Sequence, residues 1–159
     1  MLRESISIRR SRKSTLGFSL MELVVVVAIG LVLAAISVPA VRSAVASYKL
    51  RSGQNAITGV IQSTRYRAIY QGYPFRVAFT KATSSYQLTS KPAAAASYTN
   101  VGGAVPFGDS SVQISQDTTF QFNPSGAVTV ITGASTFTLT NGGNTKNIAV
   151  STYGNVKVY

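Results

Sequence analysis

The sequence has 159 residues and contains neither cysteine nor histidine. Without thiols there is no disulfide framework, no thiolate metal site and no cysteine nucleophile. Without imidazole, the commonest general base and the commonest zinc ligand are missing. Acidic residues are nearly absent too: Glu4, Glu22, Asp109 and Asp117 complete the set. Four scattered carboxylates give no cage for a hard cation and no spacing that pairs a general acid with a general base. Catalysis would rest on Ser, Lys or Tyr alone. The expectation is a protein with no cofactor and no metal that is not an enzyme.

The shortage of acids leaves a formal charge of +11. Five of the 15 basic residues (Arg3, Arg9, Arg10, Arg12 and Lys13) fall in the first 17 positions, opposed there by Glu4. From Phe18 onward, ten basic against three acidic residues leave +7. A surplus of this size draws nucleic acid or anionic lipid. The later basic residues stand singly, however, and that pattern favours a plain solvated cationic surface.

What the chain does have is one long apolar run. Phe18 to Val38 is 21 residues with a single charge, Glu22. A helix of that length crosses a bilayer core of about 30 Å. The basic, serine-rich stretch 1–17 reads as a targeting segment, and its Lys and Arg hold the N-terminus in the cytoplasm. Ala44-Val45-Ala46 offers a small-residue site for a conventional secretory signal. Against that reading, the apolar region exceeds the usual span of roughly 7–15 residues and carries a charge near its start.

The apolar run predicts a helix from Phe18 that continues to about Gln71. Pro39 removes a backbone donor and is expected to kink it. Beyond Pro39 the pattern turns amphipathic. Val41, Ala44, Val45, Tyr48, Ile57, Val60, Ile61, Thr64 and Ala68 recur at helical spacing, with Arg42, Lys49, Gln54, Gln62, Arg65 and Arg67 mostly on other faces. Gly72-Tyr73-Pro74 is the expected stop.

From Pro74 the period changes to two. Phe75, Val77 and Phe79 open one strand, Tyr86 and Leu88 a second, with Lys81–Ser85 as the turn between them. Lys91–Ser111 reads as a long exposed loop with at most a short edge segment. Val112–Ile114, Thr119–Phe122, Val128–Val130, Phe137–Leu139, Ile148–Val150 and Val156–Tyr159 follow as strands. Asn123-Pro124-Ser125-Gly126 and Asn141-Gly142-Gly143-Asn144 punctuate them as turns. The fold class is therefore α+β, a long N-terminal helix packed on a small antiparallel β-sheet head. The expected division is a leader at 1–17, a membrane helix at 18–39, an amphipathic continuation at 40–72 and a head at 73–159.

The segment Gly17-Phe18-Ser19-Leu20-Met21-Glu22-Leu23 resembles the cleavage and methylation site of type IV prepilins and pseudopilins. The resemblance implies a prepilin peptidase that cuts after Gly17 and methylates the amine of Phe18. It implies a pilin-like fold and an assembly role for Glu22, and it matches Pro39 to a helix-kinking proline. In the head, Phe120-x-Phe122-Asn123-Pro124-Ser125-Gly126, then Ile148-x-Val150-Ser151 and Gly154-x-Val156, resemble the GspH/FimT group of minor pseudopilins and minor pilins. The implied protein is a minor pseudopilin of the type II secretion pseudopilus. The alternative is a FimT-like minor pilin that acts in type IV pilus initiation or DNA uptake. A third class, a simple membrane-anchored periplasmic binding protein, would be left uncut at Gly17.

Physical chemistry supports the same residues. A glutamate in an apolar span needs a partner, and cleavage would create one as the Phe18 ammonium, either on the same helix or on a neighbour. The bland alternative is an interfacial glutamate that reaches headgroup water. Glycine at position 17 leaves the scissile backbone unhindered. The expected partners are other pilins or pseudopilins through the N-terminal helix, the peptidase and inner-membrane lipid. The expected location is the bacterial inner membrane, crossed once with the head in the periplasm, before incorporation into a fibre. For a DNA-binding head, the anion contacts would be Arg65, Arg67, Arg76, Lys146 and Lys157. That reading is not favoured, because no aromatics interleave with the charges for base stacking. The Gly154-Asn155-Val156-Lys157 stretch also carries one basic residue, where the DNA-uptake tail of the family carries two.

Overall fold

The computed structural model describes residues 17–159. It contains one helix, α1 (Leu20–Gln71), followed by ten strands: β1 (Phe75–Thr80), β2 (Ser85–Ser90), β3 (Thr99–Asn100), β4 (Val105–Pro106), β5 (Gln113–Ile114), β6 (Thr118–Phe122), β7 (Val128–Thr132), β8 (Thr136–Asn141), β9 (Asn144–Val150) and β10 (Val156–Val158). The chain divides into two compact units, one ending at Pro39 and the other spanning Ala40–Tyr159.

In the first unit the helix starts at Leu20, two residues after the expected Phe18, because Ser19 caps it. The Ser19 hydroxyl accepts the Met21 N–H at 3.2 Å, and the Ser19 carbonyl accepts the Leu23 N–H at 3.1 Å. Ser37 donates its hydroxyl to the Leu33 carbonyl at 2.8 Å, one turn back. The helix includes Pro39 without a break. Proline has no N–H, so the Ala35 carbonyl lacks its helical donor there.

In the second unit, α1 buries Leu50, Gly53, Ile57, Val60, Ile61, Thr64 and Ala68, spaced three and four apart. Thr64 is tolerated on that face because its hydroxyl donates to the Val60 carbonyl at 2.6 Å. Gly72, at φ +73°, ends the helix, and its N–H reaches the Ala68 carbonyl at 3.1 Å. The strands form two antiparallel sheets rather than one. The larger has the order β3-β2-β1-β6-β7, with β4 also on β2; the smaller has the order β10-β9-β8-β5. Strand alternation sends Phe75, Val77, Phe79, Phe120 and Phe122 inward from the larger sheet. Phe137, Leu139, Ile148 and Val150 point inward from the smaller one. Phe79 joins them, its ring centroid 5.9 Å from Phe137, 6.3 Å from Phe107 and 6.4 Å from Phe120.

Two expectations fail here. Val41, Ala44, Val45 and Tyr48 are exposed and do not extend the buried stripe, which begins at Leu50. Over those turns the head offers the helix polar groups. Asn141 Nδ2 donates to the Ala46 carbonyl at 3.1 Å, and Asn144 Nδ2 to the Ser47 hydroxyl at 3.3 Å. The stretch 91–111, expected as an exposed loop with at most a short edge segment, carries β3 and β4, two short exposed strands on β2, but also a fully buried Phe107. The loop can place that ring in the core because two glycines let it approach α1 closely: a Cβ on Gly108 would sit 3.4 Å from the Gly53 Cα. Phe107→Ala is therefore expected to cost about 3–5 kcal/mol of stability, a core value. A truly exposed position costs within about 0.5 kcal/mol. Chemical denaturation of the full chain in detergent distinguishes the two.

Candidate functional site

Gly17 and Phe18 stand just ahead of the Ser19 cap, and Phe18 is 79% exposed. The leader expected at residues 1–17 lies outside the described residues except for Gly17. Glu22 is three residues past the cap, in the first helical turn. Ser19-x-x-Glu22 has the spacing of a capping box, and an acid there also faces the positive end of the helix dipole. Glu22 thus has a helix-local reason to be present beside the expected pairing one. The Ser–Glu spacing was the available signal, overshadowed by the apolar run around it.

Between Glu22 and Pro39 the helix is apolar on every side. Leu23, Val24, Val25, Val26, Val27 and Ile29 are consecutive or nearly so, and all are exposed. The most apolar 18-residue window has a mean hydropathy of 2.8 and none of it is buried, so the helix is long and apolar enough to cross a membrane. A helix that is apolar all round has no solvent-facing side and must be covered by lipid or by other helices.

The five basic candidates of the head are placed differently from one another. Arg65 Nε donates to the Gly126 carbonyl at 3.1 Å. Its side chain also occupies the space a Cβ would need at Gly154, whose φ of +78° admits glycine readily. Arg65 so ties two turns, Asn123–Gly126 and Ser151–Gly154, to the helix, beside a polar hollow of about 250 Å³ lined by Gln62, Tyr66, Asn155 and Val156. Arg67 is exposed on α1. Arg76 lies in the larger sheet, bonded to Gln121 and stacked on Tyr98. Lys146 pairs with Leu139 and falls on the same side of β9 as buried Ile148, whereas Lys157 pairs with Ala149 on the opposite side. The five are spread over the helix, the larger sheet and both faces of the smaller sheet. Among the described residues, no group of three or more His, Cys, Asp or Glu gathers to hold a metal ion.

One electrostatic tie went unseen in the sequence. Lys49 on α1 pairs with Asp109 at 3.1 Å. Asp109 Oδ1 also accepts the Ser111 hydroxyl at 2.6 Å and the Ser111 N–H at 3.0 Å. These two hydrogen bonds, with Lys49 adding to them, lower the Asp109 pKa from 3.8 to about 2. Nothing in the spacing of residues 49 and 109 foretells the pair.

A family model described as "Type II transport protein GspH" matches residues 54–154, and the prokaryotic N-terminal methylation motif matches 12–38. The chain belongs to the GspH family. No curated protein matches it. Its fold is similar to the type IV minor pilin FimU of Pseudomonas aeruginosa (strain PAO1) in one crystal form. The TM-score there is 0.53 at 13% identity, covering 71% of this chain and 90% of FimU. A second crystal form of FimU gives 0.49 at 13% identity, covering 69% and 91%. This GspH-family chain is thus a minor pseudopilin or pilin, with the pilin-like α+β fold expected from its sequence.

The lowered carboxyl makes Asp109 a stability group with a definite sign. A pKa depressed by folding contributes fully above the unfolded value of 3.8 and is lost as pH falls through about 2. Asp109→Asn should therefore lower the thermal midpoint near neutral pH. The difference from wild type should close across that acid window in a pH series of melting curves.

Proposed function

We propose that this chain is a minor pseudopilin, a structural subunit of the pilus-like fibre of type II secretion. The observation that carries the reading is the uncovered helix: apolar on every side, opening at a serine cap, and preceded by Gly17. In this account a prepilin peptidase cuts between Gly17 and Phe18 and methylates the new amine. The subunit waits in the inner membrane, crossing it once, with the N-terminus cytoplasmic and the head periplasmic. It then leaves lipid for a bundle of neighbouring helices, which cover the same apolar surface.

Glu22 sets the register. The amine of Phe18 and the carboxylate of Glu22 lie about one turn apart on the helix. A charge pair in lipid or in a helix bundle offsets the cost of both charges, and pairing with a neighbour's amine also fixes how far one subunit slides along the next. Pro39 marks the joint at which the fibre core gives way to the head, with residues 40–72 continuing the helix and 73–159 forming the β-rich part. The likeness to FimU favours a second reading, a FimT-like minor pilin that starts a type IV pilus or takes part in DNA uptake through Arg65, Arg67, Arg76, Lys146 and Lys157. The two readings share the helix chemistry and differ in the machine served.

Glu22→Ala separates processing from assembly. The variant should be cut and methylated as the wild type is, yet be reduced at least about tenfold in sheared fibre fractions, the loss of one buried charge pair. Immunoblots of membrane and fibre fractions read both quantities. Normal incorporation would remove Glu22 from the assembly role.

A further inference from the structure

The six strands of the larger sheet contain one charged residue, Arg76. It sits on β1, the strand in the middle of the sheet order, and alternates with buried Phe75, Val77 and Phe79, so it stands on the face turned away from the core. An arginine on an open sheet face ordinarily waves in water, but this one is held. Its guanidinium carbon is 3.7 Å from the centroid of the Tyr98 ring. Its Nε donates to Gln121 Oε1 at 2.9 Å. The same oxygen accepts the Tyr98 hydroxyl at 2.9 Å, and Gln121 Nε2 donates to Asn123 Oδ1 at 3.0 Å. Tyr98, Gln121 and Asn123 are all uncharged, so they orient the guanidinium without neutralising it.

Among the described residues no counter-ion stands by. From residue 40 onward the acids are Asp109 and Asp117. Asp109 is paired with Lys49, and Asp117 accepts the backbone N–H of Lys81 at 2.7 Å. The two terminal nitrogens of Arg76 have no acceptor among the described residues and are not buried. Fixing a long side chain costs conformational entropy, and here it leaves a full charge with its donor fork open. The register brings one more cation to this face. Lys91 follows β2, its N–H bonding the Pro74 carbonyl, and by strand alternation it lies on the Thr89 side, where Thr89 pairs with Arg76.

We infer that the outer face of the larger sheet, at Arg76 and Tyr98, is a docking surface for a carboxylate-bearing segment of a partner protein. An Asp or Glu of that segment would be received end-on by the two terminal nitrogens of Arg76. A planar fork matched to a carboxylate makes two parallel charge-assisted hydrogen bonds, and a fork already held by Tyr98 and Gln121 loses little freedom in making them. Arg and Tyr together are also the residues that dominate protein contact surfaces. Nucleic acid fits less well. The Tyr98 face that would stack a base is covered by the guanidinium, and beyond Lys91 the strands β1, β2, β6 and β7 supply no further basic residue, so two cations make no phosphate track. This inference concerns the head alone and stands apart from the processing and assembly roles of Gly17 and Glu22.

The test uses the full chain in detergent micelles, titrated at fixed salt with hexaglutamate, hexaglutamine and a ten-nucleotide oligothymidylate. Hexaglutamate should bind and hexaglutamine should not. Arg76→Gln should weaken hexaglutamate at least about fivefold, while Arg51→Gln, which removes an exposed helix charge, should change it less than about twofold. Gln121→Leu keeps every charge but frees the fork, and it should weaken binding in the same direction. Arg76→Lys, which keeps the charge and loses the fork, serves where the glutamine variant does not fold, and it too should bind less tightly. Equal losses from Arg76→Gln and Arg51→Gln would overturn the inference in favour of diffuse charge. So would unchanged binding by Gln121→Leu, or no binding of hexaglutamate by the wild type. Tighter binding of oligothymidylate that disappears with Arg76→Gln would overturn it in favour of nucleic acid.

Discussion

An apolar helix with no buried side has to be covered. From Phe18 to Val45 nearly every large side chain is exposed. Insertion energetics make lipid a suitable cover. Each Leu, Ile, Val or Phe near a bilayer centre favours insertion by about 0.3–0.6 kcal/mol, while an ionised side chain there costs about 2.5–3.5 kcal/mol. A run this long absorbs a single Glu22, the more easily because that residue lies near one end. The same arithmetic is why the proposed assembly role falls on the glutamate: its charge is the one point in the run at which position along the helix is sharply defined. Lipid and neighbouring helices cover the Val and Leu surface about equally well. A paired charge distinguishes one register from the next.

The head is built to a different rule. It has its own core, centred on the Phe79, Phe107, Phe120 and Phe137 rings, with the Leu50–Ala68 face of α1 lying over two antiparallel sheets. Its polar ties to the helix are local and specific: Asn141 to Ala46, Asn144 to Ser47, Asp109 to Lys49, and Arg65 to Gly126. Together they clamp the helix along its side rather than at one end. With so few acids, the clamp relies on amide and backbone groups, and the one ion pair among the described residues uses one of the two acids the head possesses. The surplus of cations is left facing outward, where Arg76 alone in its sheet is fixed in place.

Much of this was legible beforehand, and the reasons are physical. The apolar run, the stop at Gly72-Tyr73-Pro74, the switch to period two at Phe75 and the turns at Asn123–Gly126 and Asn141–Asn144 are local, and local pattern reports them directly. The buried stripe from Ile57 to Ala68 was visible for the same reason. Periodicity could not say that Val41, Ala44, Val45 and Tyr48 would lie outside the packed face, since that depends on where the sheets end. Phe107 was hidden because an irregular, glycine-rich stretch gives no period, although a phenylalanine beside Gly108 can pack closely. The partners of Arg65, Arg76 and Asp109 are set by tertiary approach across dozens of residues, and no spacing rule reaches that far. Ser19 and Glu22 were the opposite case, a readable three-residue spacing eclipsed by the hydrophobic signal around it.

In the proposed pathway the apolar helix begins its working life at Phe18, with a new amine set one turn from Glu22. The intact mass of the protein recovered from membranes tests this most directly. The expected chain begins at Phe18 and carries one added methyl group. A mass that retains Met1–Gly17 would contradict it and leave a plain membrane anchor. A chain that begins after Ala46 would contradict it differently, by making the run a discarded secretory signal.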